Sequence, residues 1–170
     1  MRTWKWAAAL VALVAAAACI PDDGRVLPRV GNAAIEYPAA TLAGDTVTLA
    51  SLRGEVVLLN LWATWCVPCR AETPYLESLF EEYRDRGFRV VGVSLDTGDA
   101  ADQVEMFVEE FGVTYTILHD PQMRGMDLYQ VPGLPATFLI DRDGTIRWIR
   151  YGPILEGDAG FLGALEELLS

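Results

Sequence analysis

Nearly continuous runs of apolar residues recur along the chain, separated by segments in which apolar and charged residues mix. Residues 56–62 read VVLLNLW and residues 88–95 read FRVVGVSL, and such runs are typical of strands buried on both faces of a sheet. The runs TYTIL at 114–118 and ATFLI at 136–140 predict two further strands. The central part of the chain is therefore predicted to form a sheet whose strands are separated by other elements.

Four segments between and after these strands show the pattern of amphipathic helices. Residues 67–86 repeat apolar side chains at helical intervals, and Gly87 is expected to end this helix. Asp99 is predicted to be the N-cap of a second helix that extends through Phe111. The other two helices are predicted at residues 122–129 and 158–169.

Turn residues predict a hairpin near each end of the sheet. Residues 143–144, an Asp-Gly pair, join the strand at 136–140 to a strand at 145–151. Near the N-terminus, a Gly-Asp pair at 44–45 separates two weaker strand patterns, Ile35–Ala40 and Thr46–Leu49. Alternating strands and helices that end in a hairpin and a helix predict an α/β fold, with a mixed sheet and helices on both faces.

The first residues have the architecture of an export signal. Arg2 and Lys5 precede an apolar run at residues 7–20, which is shorter than the about 20 residues that a spanning helix needs. The small residues Ala16 and Ala18 near the end of this run offer a cleavage site. Residues 1–18 are therefore predicted to be a signal peptide, so that the rest of the chain is exported.

Cys19 directly follows the predicted cleavage site. This arrangement resembles the lipobox of bacterial lipoproteins, in which the cysteine is diacylated and becomes the first mature residue. We therefore predict lipid attachment at Cys19, a tether at residues 19–33 and one domain at residues 34–170. Plain secretion and an uncleaved anchor remain as alternatives, and all three export the domain to the periplasm or the outer face of the cell membrane.

Charge and cysteine content narrow the functional classes. The chain has 24 acidic and 13 basic residues, a net charge of −11, which argues against a protein that binds nucleic acid through a basic face. Three cysteines are too few for a small scaffold held together by disulfides. The cysteines are therefore interpreted by their positions.

The sequence WCVPC at 65–69 follows a predicted buried strand and begins a predicted helix. At the N-terminal end of the helix, free backbone N–H groups and the helix dipole should lower the pKa of the Cys66 thiol and favour its thiolate. Cys69 lies one turn inside the helix, where it can attack a mixed disulfide formed by Cys66. Pro68 restricts the turn at a position where a missing N–H costs little. The pattern predicts redox chemistry.

Other uses of a CxxC motif fit this chain less well. Structural zinc needs four ligands, and beyond the motif the mature chain offers only His119 and Cys19. Covalent haem attachment needs His after the second cysteine, where Arg70 stands, and an iron–sulfur cluster needs four cysteines. A purely structural disulfide remains open. We expect no metal ion and no organic cofactor besides the redox-active Cys66–Cys69 pair.

Three segments resemble the TlpA/ResA-like branch of the thioredoxin superfamily: VVLLNLWATWCVPCRAETPYLESLFEEY, VVGVSLD and VPGLPATFLIDRDGTI. The resemblance covers residues from about 41 to 152. It implies a thioredoxin-like three-layer α/β/α sandwich with a mixed central sheet and an N-terminal β-hairpin extension. It also implies an inserted strand–helix segment at about residues 94–118.

The same resemblance implies a surface for protein substrates around the CxxC motif. Pro135 matches the family's cis-proline, whose geometry would turn the Leu134 backbone outward so that a partner segment could pair with it as an added strand. Trp65 is expected to cover the disulfide. The expected substrate contacts are Trp65, Val67, Pro68 and Leu134.

Glu72 matches the acid that follows the family's second cysteine by three residues. One helical turn from Cys69, it could relay a proton, or raise the pKa of the thiol if it is desolvated. The alternative is a first-turn glutamate favoured only by the helix dipole. Asn60 stands where classical thioredoxins carry a buried acid, which would leave Glu72 as the only acid near the cysteines.

Relatives of this kind are extracytoplasmic, membrane-tethered thiol–disulfide oxidoreductases, and many reduce exported thiol proteins, often apocytochrome c. The expected partners are therefore exported proteins with disulfides, a membrane thiol donor and, through the lipid anchor, the membrane. We expect a monomer that does not bind nucleic acid.

Three alternative functions remain. A disulfide-forming oxidase would use the same motif at a different potential. A peroxiredoxin-like peroxidase would need Thr three residues before its reactive cysteine, where Ala63 precedes Cys66. A binding module without enzymatic activity would not need both cysteines.

Overall fold

The computed structural model describes residues 27–37 and 39–170 of the chain. The predicted signal peptide at 1–18, the predicted lipid-attachment residue Cys19 and the first part of the predicted tether lie outside the described residues. Within the described ranges, no helix combines the length and the apolar composition needed to cross a bilayer.

The described residues form a seven-stranded sheet with helices on both faces. The strands are β1 (Ala39–Thr41), β2 (Thr46–Val47), β3 (Val56–Trp62), β4 (Phe88–Ser94), β5 (Thr116–His119), β6 (Ala136–Ile140) and β7 (Ile146–Tyr151). The α-helices are α1 (Val67–Tyr83), α2 (Ala101–Phe111), α3 (Arg124–Leu128) and α4 (Ala159–Leu169), and 3-10 helices occupy Leu49–Leu52 and Arg84–Arg86.

The sheet is mixed, as predicted. Its strand order is β2-β1-β5-β4-β3-β6-β7, and the three neighbours β5, β4 and β3 are parallel. On one side β6 and β7 continue the sheet in antiparallel orientation. On the other side the β1–β2 hairpin pairs antiparallel with β5 and forms the predicted N-terminal extension. The α/β fold class is confirmed.

Two apolar clusters fill the space between the sheet and its helices. Alternate side chains of β3 point to opposite faces, so that Val56 and Leu58 belong to one cluster and Val57 and Leu59 to the other. The first cluster contains side chains of α1, α2 and α4, and the second packs against α3 and the segment before β1. These contacts make three layers, as in a thioredoxin-like sandwich.

The two weak strands near the N-terminus are shorter than predicted. The strand predicted at residues 35–40 begins only at Ala39, and the Ile35 carbonyl accepts the Tyr129 hydroxyl at 2.6 Å instead of pairing with a strand. Leu49 begins a 3-10 helix instead of ending a strand. The Thr48 hydroxyl caps that helix by accepting the N–H of a residue three positions on.

The ends of α1 and α4 match the sequence prediction, whereas α3 is shorter than the helix predicted at residues 122–129 and α2 begins later than predicted. Gly87 follows the 3-10 turn after α1 with a φ of 83°, a left-handed conformation that favours glycine. Asp158 caps α4 by accepting two backbone N–H groups of its first turn. The predicted N-cap Asp99 is wrong: α2 begins at Ala101 with Ala100 as its N-cap, and no side chain caps it. Asp99 lies one residue too early to reach the free N–H groups.

The last residues of the predicted tether already contact the domain. The Gly31 N–H donates to the Ile146 carbonyl at 2.8 Å, and the Ile146 N–H donates to the Asn32 carbonyl at 2.9 Å. Ala33 forms an isolated antiparallel bridge with Thr145. Hydrogen bonds to the domain therefore begin about three residues before the predicted boundary at residue 34.

Burial of β3 predicts how the fold responds to a cavity in its centre. Leu58→Ala is expected to lower the free energy of unfolding by about 2–5 kcal/mol, because Leu58 is fully buried and its neighbours cannot close the space. Denaturant titration measures the loss. The control Met106→Ala removes a side chain that is 63% exposed on α2 and should change stability by less than about 0.5 kcal/mol. Equal losses in the two variants would contradict the assignment of Leu58 to the core.

Candidate active site

The two cysteines of the CxxC motif lie where β3 leads into α1. Cys66 is the N-cap of α1 and forms a disulfide with Cys69, across a Cα–Cα distance of 5.2 Å. The Cys66 Sγ accepts the backbone N–H of Cys69 at 3.3 Å. Cys69 is the more buried of the two, with 1% of its surface exposed against 5% for Cys66. In the reduced protein, this N–H group and the helix dipole would favour the Cys66 thiolate.

The cis peptide bond predicted at Pro135 is present between Leu134 and Pro135. Antiparallel pairing places Ala136 opposite Leu61, at the end of β3 from which the CxxC motif continues. Pro135 therefore belongs to the same edge of the sheet as the cysteines. It is buried, and its carbonyl accepts the N–H of Gly152 at 2.8 Å, while Leu134 is half-buried.

Glu72 is buried, with 3% of its surface exposed. Its Oε1 accepts the Asn60 amide at 2.9 Å and its Oε2 accepts the Ile154 N–H at 2.7 Å. The same Asn60 nitrogen also donates to the Thr137 hydroxyl at 3.0 Å, on the strand that follows Pro135. One amide therefore links the acid on α1 to the cis-proline strand.

Burial raises the pKa of Glu72 from its usual 4.5 to about 7, while the hydrogen bonds from Ile154 and Asn60 act in the opposite direction. A carboxyl group with such a pKa exchanges its proton readily near neutral pH. Glu72 lies three residues after Cys69, a spacing that places both residues on one face of α1. A glutamate favoured only by the helix dipole would not need this burial.

A groove of about 390 Å³ opens beside Glu72, between the first turns of α1 and the segment that follows β7. Its lining residues are Pro68, Ala71, Glu72, Pro74, Tyr75, Ser78, Pro153, Ile154, Leu155 and Glu156. The side of the groove formed by residues 153–156 had no signal in the sequence, because it lies about 80 positions from α1 and carries no chemical motif.

Exposed apolar side chains surround the cysteines. Trp65 and Val67, on either side of Cys66, are 64% and 75% exposed, and Leu155 at the groove is 66% exposed. Most of the Trp65 ring therefore faces solvent. Trp62, by contrast, is 3% exposed and belongs to the core. Exposed apolar groups around a reactive centre are suited to contact a protein partner.

The inserted segment, which consists of α2 and β5, packs close behind the CxxC motif. Phe107 of α2 lies 4.5 Å from Trp62 between ring centroids. The Arg70 guanidinium, directly after Cys69, lies over the rings of Phe107 and Phe111 and forms an ion pair with Glu110 at 2.9 Å. The insertion therefore supports the helix that carries both cysteines.

The other chemically distinctive residue, His119, lies at the end of β5 with its Nε2 at 2.9 Å from the carbonyl of Asp96. Across the described ranges, no three or more His, Cys, Asp or Glu side chains form a group that could hold a metal ion.

Comparison with known proteins relates this site to a described activity. Residues 30–149 match the AhpC/TSA family. The chain is similar to the thiol-disulfide oxidoreductase ResA of Oceanobacillus iheyensis, with 37% identity over 137 residues that cover 78% of this chain and 70% of that protein.

Solved structures show the same likeness. A protein from Chlorobium tepidum, described as a thiol:disulfide interchange protein DsbE, has a TM-score of 0.77 and 30% identity, over 84% of this chain and 99% of that chain. A secreted disulfide oxidoreductase of Mycobacterium tuberculosis, described as homologous to DsbE of E. coli, has a TM-score of 0.66 and 28% identity, over 78% and 96% of the two chains. The predicted thioredoxin-like fold is confirmed.

Titration of Glu72 is expected to make the protein less stable as the pH rises. Native Glu72 keeps its proton up to a pKa of about 7, whereas the unfolded chain loses it near 4.5, so the unfolded state binds fewer protons between these values. Across this range the free energy of unfolding should fall by about 3 kcal/mol relative to Glu72→Gln, which cannot titrate. Denaturant titrations of both proteins at about pH 4.5, 6 and 8 measure the difference. A difference that does not change with pH would contradict the raised pKa.

Proposed function

Because this chain belongs to the AhpC/TSA family and is a thiol–disulfide oxidoreductase similar to ResA, we propose that it works outside the cytoplasm as a reductant of disulfides in exported proteins. The observation that carries the exchange chemistry of this proposal is the Cys66–Cys69 pair at the start of α1, with the buried Glu72 one helical turn later. A carboxyl group with a pKa of about 7 can accept the proton that Cys69 must lose before it attacks.

The reaction proceeds in two exchanges. The Cys66 thiolate attacks one sulfur of the substrate disulfide, forms a mixed disulfide and releases the first substrate thiolate. Glu72 takes the Cys69 proton, and the Cys69 thiolate attacks the Cys66 Sγ, which forms the Cys66–Cys69 disulfide and releases the second substrate thiolate. Two electrons pass to the substrate, and two protons convert its thiolates to thiols. No metal ion or organic cofactor is needed.

Substrate proteins would bind at the surface around Cys66. Trp65, Val67 and Pro68 offer apolar contacts beside the reactive sulfur, and the first two are largely exposed. The Leu134 backbone, next to the cis bond, would pair with an extended substrate segment as an added strand. The groove beside Glu72 would then receive a side chain of that segment. Apocytochrome c is one substrate of suitable kind, since it must keep its cysteines reduced.

Export is supported by the sequence of residues 1–18 and by the secreted relative from Mycobacterium tuberculosis. Lipid attachment at Cys19 would hold the domain at the outer face of the cell membrane or in the periplasm. There, a membrane thiol donor would return the Cys66–Cys69 disulfide to the dithiol after each turnover. The protein would act as a monomer, with no role for nucleic acid.

The reduction potential of the Cys66–Cys69 pair tests the proposed direction of electron flow. Equilibration of the purified protein with defined thiol buffers should give a potential near or below about −250 mV, in the range of thioredoxin. A potential near about −120 mV would instead identify a disulfide-forming oxidase. A pair that fails to cycle would identify a binding module, and rapid turnover of hydrogen peroxide would identify a peroxidase.

Glu72→Gln should slow the second exchange more than the first, because the variant cannot take the Cys69 proton. We expect the mixed disulfide with a model peptide to persist about tenfold longer at pH 7, as measured by quenching and mass spectrometry. Glu77→Gln is the matched control: Glu77 is a second buried acid on α1, but it accepts the Thr114 N–H, at 2.8 Å, and hydroxyl. If the mixed disulfide persists equally long in both variants, proton transfer by Glu72 is contradicted.

A further inference from the structure

Asp96 is a buried carboxylate that the proposed exchange reaction does not use. It lies two residues beyond the end of β4 and is 2% exposed. Its Oδ2 accepts the Thr64 N–H at 2.9 Å and the Ser94 hydroxyl at 2.8 Å, and its Oδ1 accepts the Thr64 hydroxyl at 2.6 Å. None of the ion pairs among residues 27–37 and 39–170 involves this carboxylate.

A buried charge without an ionic partner is costly unless hydrogen bonds compensate for the lost water. Here three donors do so, and two of them come from the single residue Thr64. The backbone and the side chain of Thr64 are thus bound to one rigid acceptor. Hydrogen bonds to charged groups are roughly twice as strong as neutral ones, so this attachment is firm.

Thr64 lies in the short connection between β3 and α1, two residues before Cys66. At one end of this connection the Trp62 carbonyl accepts the Leu95 N–H at 2.9 Å, and at the other the Cys66 N–H donates to the Ala63 carbonyl at 3.1 Å. The carboxylate of Asp96 is the only side chain that binds the middle of the connection among the hydrogen bonds of the described residues.

We propose that Asp96 is a positioning residue for thiol–disulfide exchange: by binding Thr64 it holds Cys66 at the N-cap of α1, where the Cys66 sulfur receives the Cys69 N–H. Asp96 acts through Thr64 and takes no part in bond making. The inference rests on thiol chemistry at Cys66 within the proposed function, but it is independent of the direction of electron flow and of the compartment.

Two effects of Asp96 on Cys66 have opposite signs, and this makes the proposal testable. If position matters, removing the carboxylate loosens the connection, the Cys66 thiolate loses its N–H donor, and the pKa of the thiol rises. If the negative charge matters, its removal lowers the pKa of the same thiol. The direction in which the pKa of Cys66 shifts therefore distinguishes an effect of position from an effect of charge.

The experiment follows alkylation of Cys66 by iodoacetamide in the reduced full chain as a function of pH, with the modified peptide identified by mass spectrometry. Asp96→Ala should raise the pKa of Cys66 by about one unit and slow alkylation by about tenfold at pH values well below the wild-type pKa, where one unit corresponds to a tenfold smaller thiolate fraction. Asp96→Asn should stay within about twofold of the wild type, since its Oδ1 can still accept the Thr64 N–H and its Nδ2 can donate to the Thr64 hydroxyl. A lowered pKa in either variant would overturn the proposal.

Asp141 provides the matched control. Its carboxylate is 8% exposed and accepts the N–H groups of Asp143 and Thr145 and the Arg147 guanidinium, at the hairpin between β6 and β7. Asp141→Ala should lower the melting temperature but leave the alkylation of Cys66 unchanged. If it slows alkylation as much as Asp96→Ala, general loss of stability explains both effects and the proposal is wrong.

Substitutions at Thr64 keep the test decisive if Asp96→Ala does not fold. Thr64→Val removes only the hydroxyl donor and should raise the pKa of Cys66 by less than Asp96→Ala, whereas Thr64→Ser keeps the hydroxyl and should match the wild type. Identical pKa values in these two variants would also overturn the proposal. Because alkylation reads the thiol directly, a protein that fails to reduce substrate disulfides would still report on Asp96, so the two proposals fail separately.

Discussion

Strand β3 constrains the rest of the structure, because all seven of its side chains are buried and both of its edges are hydrogen-bonded, to β4 and β6. Such a strand has no freedom to shift its register, since a shift of one residue would exchange its two apolar faces. The CxxC motif begins four residues after β3 ends, so the position of Cys66 follows from that of the strand. Asn60 is the one polar residue in this apolar run, and its amide is satisfied by the acid on α1 and by the Thr137 hydroxyl.

Three distant parts of the chain meet around the acid of the site. Glu72 connects α1 to the segment after β7 through the Ile154 N–H, and Gly152 in the same segment donates to the Pro135 carbonyl. A change in the charge of Glu72 therefore alters a hydrogen bond that holds this segment to α1. Glu72 and Ile154 both line the groove beside the acid, so its shape depends on the hydrogen bond between them.

The sequence predicts the elements whose signals are local, and it predicts poorly what depends on contacts between distant residues. β3, β4 and β6 follow from apolar runs, and α4 follows from the apolar pattern at residues 158–169. Asp99 has the same side chain as Asp158, yet α2 begins one residue later than Asp99 would allow, which no local pattern shows. Within the site, spacing predicts the two cysteines and the resemblance indicates Pro135 and Glu72. Ile154 binds Glu72 from 82 positions away, and Asp96 binds Thr64 from 32 positions away. No local sequence pattern indicates either contact.

The sheet has two outer strands, and both are poor templates for association with another chain. β2 is two residues long. β7 carries Arg147 and Arg150, which are ion-paired with Asp141 and Asp158, and the residues around Ala33 pair with its beginning. Charged, short or covered edges resist edge-to-edge aggregation, a hazard for any protein that unfolded or partly folded client chains approach. With both outer edges protected in this way, β2 and β7 offer little competition to the Leu134 backbone, where we propose that an extended substrate segment pairs.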